Sequence, residues 1–272
     1  DIERKITKKT KAIIVVHYGG YPCDMHQIKK IANKYNLYII EDVAHAPGSE
    51  YRSKKCGTIG TLGCFSFFAN KNITTGEGGM VVTDNDKLAE KVRLFRSHGM
   101  TTTTLDRHKG HSFSYDILDL GYNYRFDEIR AAIGLVQLKK LNKNNKKRER
   151  IVKFYQEKLK DIKNIKIPFI NFKGKSSYHL FPIILSDKIN REDFMKNLRK
   201  HGIQTSIHYN PVHKFTYYKE RFGEINLPVA EEIGERVVTL PLHPLLKEED
   251  VLYIVEKIKE IIDNISNAQE NI

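Results

Sequence analysis

The sequence reads as an α/β protein in two parts: a sheet-based domain over residues 1–140, then a smaller α+β domain over 141–272. Three observations carry this. Apolar runs of strand length recur in the first half with amphipathic helical stretches between them, the pattern of a mainly parallel sheet. A long helical pattern starting at Asp127 separates the two halves. Beyond it the rhythm changes to isolated strands and short helices.

The elements follow in order. Lys11–His17 is a continuous apolar run, as expected of a strand covered on both faces of a parallel sheet. Gly19-Gly20-Tyr21-Pro22 breaks it, and Asp24 is placed to cap a helix carrying Met25, Ile28, Ile31, Ala32 and Tyr35 on one face. Leu37–Ile40 is the next strand and closes on Glu41-Asp42; Cys64–Phe68 and Met80–Thr83 follow. A helix begins at Asp84-Asn85-Asp86, turns Leu88, Val92 and Phe95 inward, and stops at Gly99. Residues 100–126 are irregular. The helix from Asp127 runs through Ile129, Ala132, Ile133 and Val136 to Leu159 and bridges the two domains. In the second half, Tyr178–Leu185 and Thr205–Tyr209 read as strands, and Arg191–His201 and Asp250–Ile262 as helices. There is no internal repeat.

Composition narrows the functional classes. An apolar fraction of 40% and a charged fraction of 29% describe a globular protein. No run is long and apolar enough to span a bilayer, so no membrane is expected. Three cysteines without CxxC spacing argue for reduced thiols and a cytoplasmic location. The net charge of +13 is densest over 139–150. No aromatic residues interleave there to stack bases, so the run reads as a solvated helix face, able to attract an anionic small substrate, and no nucleic acid is expected. His108 and His111 have metal-like spacing but no third ligand, and no metal is expected. The chain starts at Asp1 rather than Met and no secretory segment opens it, so it reads as N-terminally incomplete.

The chemistry concentrates around one lysine. Lys71 follows the apolar run ending at Phe68 and precedes a turn-forming segment, Asn72–Gly79; Asp42 lies 29 positions before it at a strand end. Alone, Asp42 is a cap, His45 a satisfied loop residue, Ser66 a strand polar group and Lys71 a surface charge. Together, a carboxylate at one strand end and a lysine after the next are what pyridoxal 5′-phosphate requires. The lysine bonds to its aldehyde as a Schiff base, and the aspartate keeps the ring nitrogen protonated so that the ring accepts electrons. Desolvation lowers a lysine's pKa and supplies the neutral amine this bonding needs.

Longer motifs then carry a family resemblance. Glu41–Glu50, Phe65–Gly79, Phe95–Met100, Gly121–Arg125, Ser177–Pro182 and His208–His213 together resemble the DegT/DnrJ/StrS-type sugar aminotransferases, in the family's order and over essentially the whole chain. The resemblance implies fold type I of the pyridoxal-phosphate-dependent transferases, aspartate-aminotransferase-like, with an incomplete large domain. It implies that Lys71 is the Schiff-base lysine, that Asp42 pairs with the ring nitrogen, that His45 lies on the side of the ring's phenolic oxygen, and that Ser66 binds the phosphate. Asn123 and Arg125 would reach the phosphate of the neighbouring subunit's cofactor, in a homodimer with shared active sites. His208, Tyr209 and His213 would approach the sugar. The implied reaction moves the amino group of L-glutamate to a nucleotide-sugar, at C4 of a 4-keto-6-deoxy sugar, for surface polysaccharide or glycan synthesis. Family members also carry a segment before the first strand, with a Gly-Thr turn that binds the cofactor phosphate; this sequence does not contain it.

Three other readings remain at this point. A sugar dehydratase on the same fold replaces the lysine with histidine, and Lys71 speaks against it. A non-catalytic regulatory or truncated partner subunit is the second. A nucleic-acid-binding module, resting on charge alone, is the third.

Overall fold

A computed structural model describes residues 1–102, 110 and 114–270; His108 and His111 lie outside the described residues. The chain divides into two compact units, Asp1–Asn142 with Gly174–Ser177, and Lys143–Lys173 with Tyr178–Ile272.

The first unit opens with a short helix, α1 (Ile2–Lys5), and is built on strands β1 (Ala12–Val16), β2 (Tyr38–Asp42), β5 (Leu62–Ser66) and β6 (Gly79–Val82). Their order is β1-β2-β5-β6. The first three are parallel, and β6 runs antiparallel to β5. Helix α2 (Met25–Lys34) is capped as expected, with Asp24 Oδ1 accepting from the Gln27 amide at 3.2 Å. It buries Met25, Ile28 and Ala32 against Ile13, Val15 and Ile39. A two-stranded hairpin, β3 (Glu50–Tyr51) with β4 (Lys54–Lys55), lies between β2 and β5. Residues 174–177 join this unit because Lys175 bridges to Glu50 and the Ser177 amide donates to Ser49 Oγ.

Two expectations for this unit change. The β1 run is covered on one face only: Ile13 and Val15 are buried, while Ile14 and Val16 are exposed. The reason is alternation, because side chains along a strand point to opposite faces and α2 covers just one of them. Strand β5 lies two residues earlier than Cys64–Phe68. The Phe67 amide donates to the Gly78 carbonyl and the Phe67 carbonyl accepts from the Thr75 amide, so this residue belongs to the turn rather than to the ladder with β2.

Helix α3 (Asp86–Arg96) is capped by Asn85 and half-buries Leu88, Val92 and Phe95. Helix α4 (Glu128–Leu159) starts beyond Asp127, whose Oδ1 accepts from the Arg130 amide. Ile129, Ile133 and Val136 on α4 are exposed.

The second unit contains the antiparallel sheet β7 (Ile165–Lys166), β8 (Phe181–Leu185) and β9 (Val237–Leu240), in that order. Helices α5 (Arg191–Lys200), α6 (Thr216–Phe222), α7 (Pro228–Arg236) and α8 (Glu248–Glu270) complete it. Its core includes Tyr155, Phe181, Phe194, Leu198, Val238 and Ile258, and the Tyr155 and Phe181 rings stack at 4.7 Å. Thr205–Tyr209 is not a strand. Ser206 alone bridges to Thr239, because the next residues turn their side chains into a histidine-aromatic cluster.

Candidate active site

The C-terminal ends of β1, β2 and β5 converge on Asp42. It ends β2 and lies in register with Val16 on one side and Cys64 on the other. Ligands of open α/β sheets bind at this edge. Asp42 Oδ1 accepts from the Ala44 amide at 3.0 Å, which fixes the carboxylate at the turn into Val43–Gly48. The carboxylate is felt on both sides. Burial pushes the Cys64 thiol pKa up, and the Asp42 charge adds to the rise. Burial draws the Lys71 pKa below the usual ammonium value, against the opposing pull of Asp42. The structure therefore sets the sequence-predicted pair within one another's electrostatic reach: a half-buried amine with its pKa lowered by burial, and one carboxylate.

Lys71 is held by its turn. Its amide donates to Phe68 O, and the Thr75 amide to Phe67 O, both at 3.0 Å. The adjacent Asn72 is buried, and its side-chain amide donates to the Ser177 carbonyl at 2.8 Å. Ser66 ends β5, where its Oγ accepts from the Phe68 amide at 3.3 Å. His45 is buried; its Nδ1 accepts from the Gly19 amide at 3.3 Å, and its carbonyl accepts from Ser177 Oγ at 2.7 Å. With Nδ1 acting as acceptor, the ring proton sits on Nε2.

Asn123 and Arg125 belong to a segment paired with residues 95–98. Asn123 bridges to Ser97, the His98 amide donates to Tyr122 O, and Arg125 donates to His98 Nε2 at 2.6 Å. Two separate sequence motifs thus form one local structure. Gly121 permits it, since a Cβ there would lie 2.0 Å from the Gly99 nitrogen. Both Asn123 and Arg125 are exposed.

His208, Tyr209 and His213 lie in the second unit. His208 Nδ1 is 2.9 Å from Thr239 Oγ1, Tyr209 is exposed, and His213 Nε2 is 2.9 Å from Glu231 Oε1. Lys214 and the Leu227 amide also bind the Glu231 carboxylate, and together with His213 they hold its pKa down at about 2. Sequence reasoning passed over Glu231. It lies at the fourth helical position after the apolar N-cap Leu227, outside the third-position place of a capping box, so no local signal announced it.

It also passed over the role of Glu41. This fully buried carboxylate points to the face of β2 opposite Asp42, where Oε2 takes His17 Nε2–H and the Gly57 amide at 2.9 and 2.8 Å. Oε1 takes the Ile59 and Gly60 amides at 2.7 and 2.6 Å. Burial raises its pKa, but these bonds outweigh burial and keep it below the usual carboxylate range. His17, Glu41 and Cys56 bring potential metal-ligand atoms within 4.8 Å of one another. However, His17 Nδ1 accepts from the Cys23 amide at 3.1 Å and each Glu41 oxygen already has two donors, so the donor set is spent on hydrogen bonds. A carboxylate next to Asp42 on a strand must face the other side of the sheet, and that alternation was the legible signal.

Comparison with known proteins identifies the family. Residues 1–259 match the DegT/DnrJ/EryC1/StrS aminotransferase family. A UDP-4-amino-4,6-dideoxy-N-acetyl-beta-L-altrosamine transaminase from Campylobacter jejuni is 36% identical over 274 residues, covering 98% of this chain and 70% of its own. PseC of Helicobacter pylori, an aminotransferase involved in pseudoaminic acid biosynthesis, superposes with a TM-score of 0.90 at 35% identity, over 97% of this chain and 70% of its own. The PLP form of the sugar aminotransferase Spr1654 from Streptococcus pneumoniae gives 0.88 at 30% identity, over 97% and 71%. The architecture is that of the fold type I pyridoxal-phosphate-dependent transferases. No described helix is long and apolar enough to cross a membrane. The chain belongs to the DegT/DnrJ/EryC1/StrS aminotransferase family.

Proposed function

We propose that this protein transfers the amino group of L-glutamate to a keto-sugar nucleotide, at C4 of a 4-keto-6-deoxy sugar, working in the cytoplasm as a homodimer. The observation that carries the reading is the half-buried Lys71 amine, shifted towards its neutral form beside Asp42 at the sheet's ligand-binding edge. The Campylobacter relative's name, a UDP-4-amino-4,6-dideoxy sugar transaminase, supports the substrate class.

The residues present fit pyridoxal phosphate: one amine able to lose its proton, one carboxylate opposite it, and a buried imidazole whose proton is on Nε2. Bound there, the cofactor supplies an electron sink for breaking the bond to the amino donor's α-proton. Lys71 Nζ would hold the cofactor and would take and return the amino donor's α-proton, a role that its burial-lowered pKa favours. Asp42, oriented by the Ala44 amide, would pair with the ring nitrogen. His45 would serve the ring's phenolic oxygen, and Ser66 the phosphate. Asn123 and Arg125 serve the phosphate of the neighbouring subunit, and His208, Tyr209 and His213 face the sugar.

The test is glutamate-dependent amination of a panel of keto-sugar nucleotides, read by product mass, with Lys71→Ala alongside. The expected outcome is one accepted 4-keto-6-deoxy nucleotide-sugar, with both turnover and the visible absorbance of bound cofactor lost in the variant. Normal turnover by Lys71→Ala refutes the assignment.

A further inference from the structure

We infer that Glu41 is a positioning residue for the cofactor pocket, acting through His17 on the two groups, Asp42 and His45, that face the ring. The inference rests on the pyridoxal phosphate reading above and deepens it.

The connections are short and directional. His17, immediately beyond β1, donates its ring Nε2–H to Glu41 and its backbone N–H to the carbonyl of Asp42, at 2.9 and 3.1 Å. Its Nδ1 accepts from the Cys23 amide at 3.1 Å, so the imidazole holds the far end of the turn from Tyr18 to Cys23, while the His17 backbone carbonyl holds its start by accepting from the Gly20 amide at 3.1 Å. That turn holds Gly19, at φ 62°, whose amide is the donor to His45 Nδ1. The Glu41 carboxylate therefore sets the His17 ring, the ring sets the turn, and the turn dictates which nitrogen of His45 carries the proton. On its other side Glu41 gathers the amides of Gly57, Ile59 and Gly60, which lead into β5. This places Cys64 opposite Asp42.

A purely structural role is the competing explanation. An apolar side chain with the neighbours of Ile39 and Val43 would bury equally well on this face without desolvating a charge, which is costly. What the carboxylate adds is direction: four donors from two chain segments meet at one group. Fully satisfied buried networks of this kind specify a single arrangement. In Glu41→Gln the amide NH₂ must face at least one N–H donor, so the side chain keeps its size while the network loses its pattern.

The experiment combines the native protein with two variants. Nitrogen-15 histidine NMR of the cofactor-free native protein is expected to show His45 as the Nε2–H tautomer. Glu41→Gln is expected to weaken pyridoxal phosphate binding by about tenfold or more, measured by titrating the visible absorbance of the folded protein, and to give His45 a mixture of tautomers. His17→Gln should do the same, and the double variant should be no worse than the weaker single one. Variants that melt earlier but bind pyridoxal phosphate with native affinity and absorbance would show a structural role only and overturn the inference. If neither variant folds, the native spectrum still decides: His45 protonated on Nδ1 overturns it. Lys71→Ala separates the two readings. Absence of a Lys71-dependent visible band in the native protein counts against the aminotransferase reading, whereas the His45 tautomer is measured without cofactor and tests the network alone.

Discussion

Gly63→Ala is expected to destabilise the first unit severely by striking the loop that Glu41 holds. A Cβ at Gly63 would lie 2.1 Å from the Gly57 carbonyl oxygen, 2.5 Å from its Cα and 2.7 Å from its carbonyl carbon. These are backbone atoms and cannot rotate away. An ordinary C···O contact needs about 3.3 Å, so the two segments must part by roughly 1 Å. Overpacking of this kind costs about 1–3 kcal/mol. The displaced segment also carries the Gly57, Ile59 and Gly60 amides, bonded to the buried Glu41 carboxylate at 2.6–2.8 Å. Loss of one hydrogen bond to a charged group adds about 1.5–3 kcal/mol. The sum is about 2.5–6 kcal/mol, a large share of the ~5–15 kcal/mol that holds a typical domain folded. Urea unfolding followed by far-UV circular dichroism measures it. Thr58→Ala in the same loop is the control: its side chain is exposed and bonds only the Lys55 carbonyl, so the expected change is under about 1 kcal/mol. A Gly63→Ala protein within 1 kcal/mol of the native one would show that the loop yields without loss, and the rigidity assigned to this network would be wrong.

Two further outcomes concern the second unit. Phe181→Ala removes a ring that is 1% exposed and stacked on Tyr155, and should cost about 3–5 kcal/mol in denaturant unfolding; a loss under 1 kcal/mol would mean that β8 is not at the centre of this core. Glu231 has a folded pKa of about 2, below its ordinary 4.5, so its contribution to stability is fully present above pH 4.5 and disappears as pH falls through 2. Melting temperatures from pH 6 to 2 should therefore fall less steeply for Glu231→Gln than for the native protein, and parallel curves would refute the assignment.

Local patterns in the chain were enough for the strands and helices that position the site. β1, α2 and β2 lie almost where their apolar periodicity places them, because one layer of sheet and helix is encoded by neighbouring residues. Asp42 and Lys71 were legible for a related reason: Asp42 ends β2, Lys71 lies in the turn between β5 and β6, and their residue types match one chemistry. Periodicity does not name partners across the chain. Nothing near His17 announces that its ring will bond to Glu41, 24 positions away, or that the Asn72 side chain will reach Ser177, 105 positions away. The second face of β1 was also beyond the sequence, since an apolar run of five residues looks the same whether one face is covered or two. β9, buried along its whole length, follows helix α7 without a break and gives no boundary to read. Sequence alone therefore located most of the elements and singled out Lys71 and Asp42 as the proposed reacting pair. The folded structure settled which buried groups hold that pair in place, because hydrogen-bond partners are chosen by proximity in space, which local sequence does not carry.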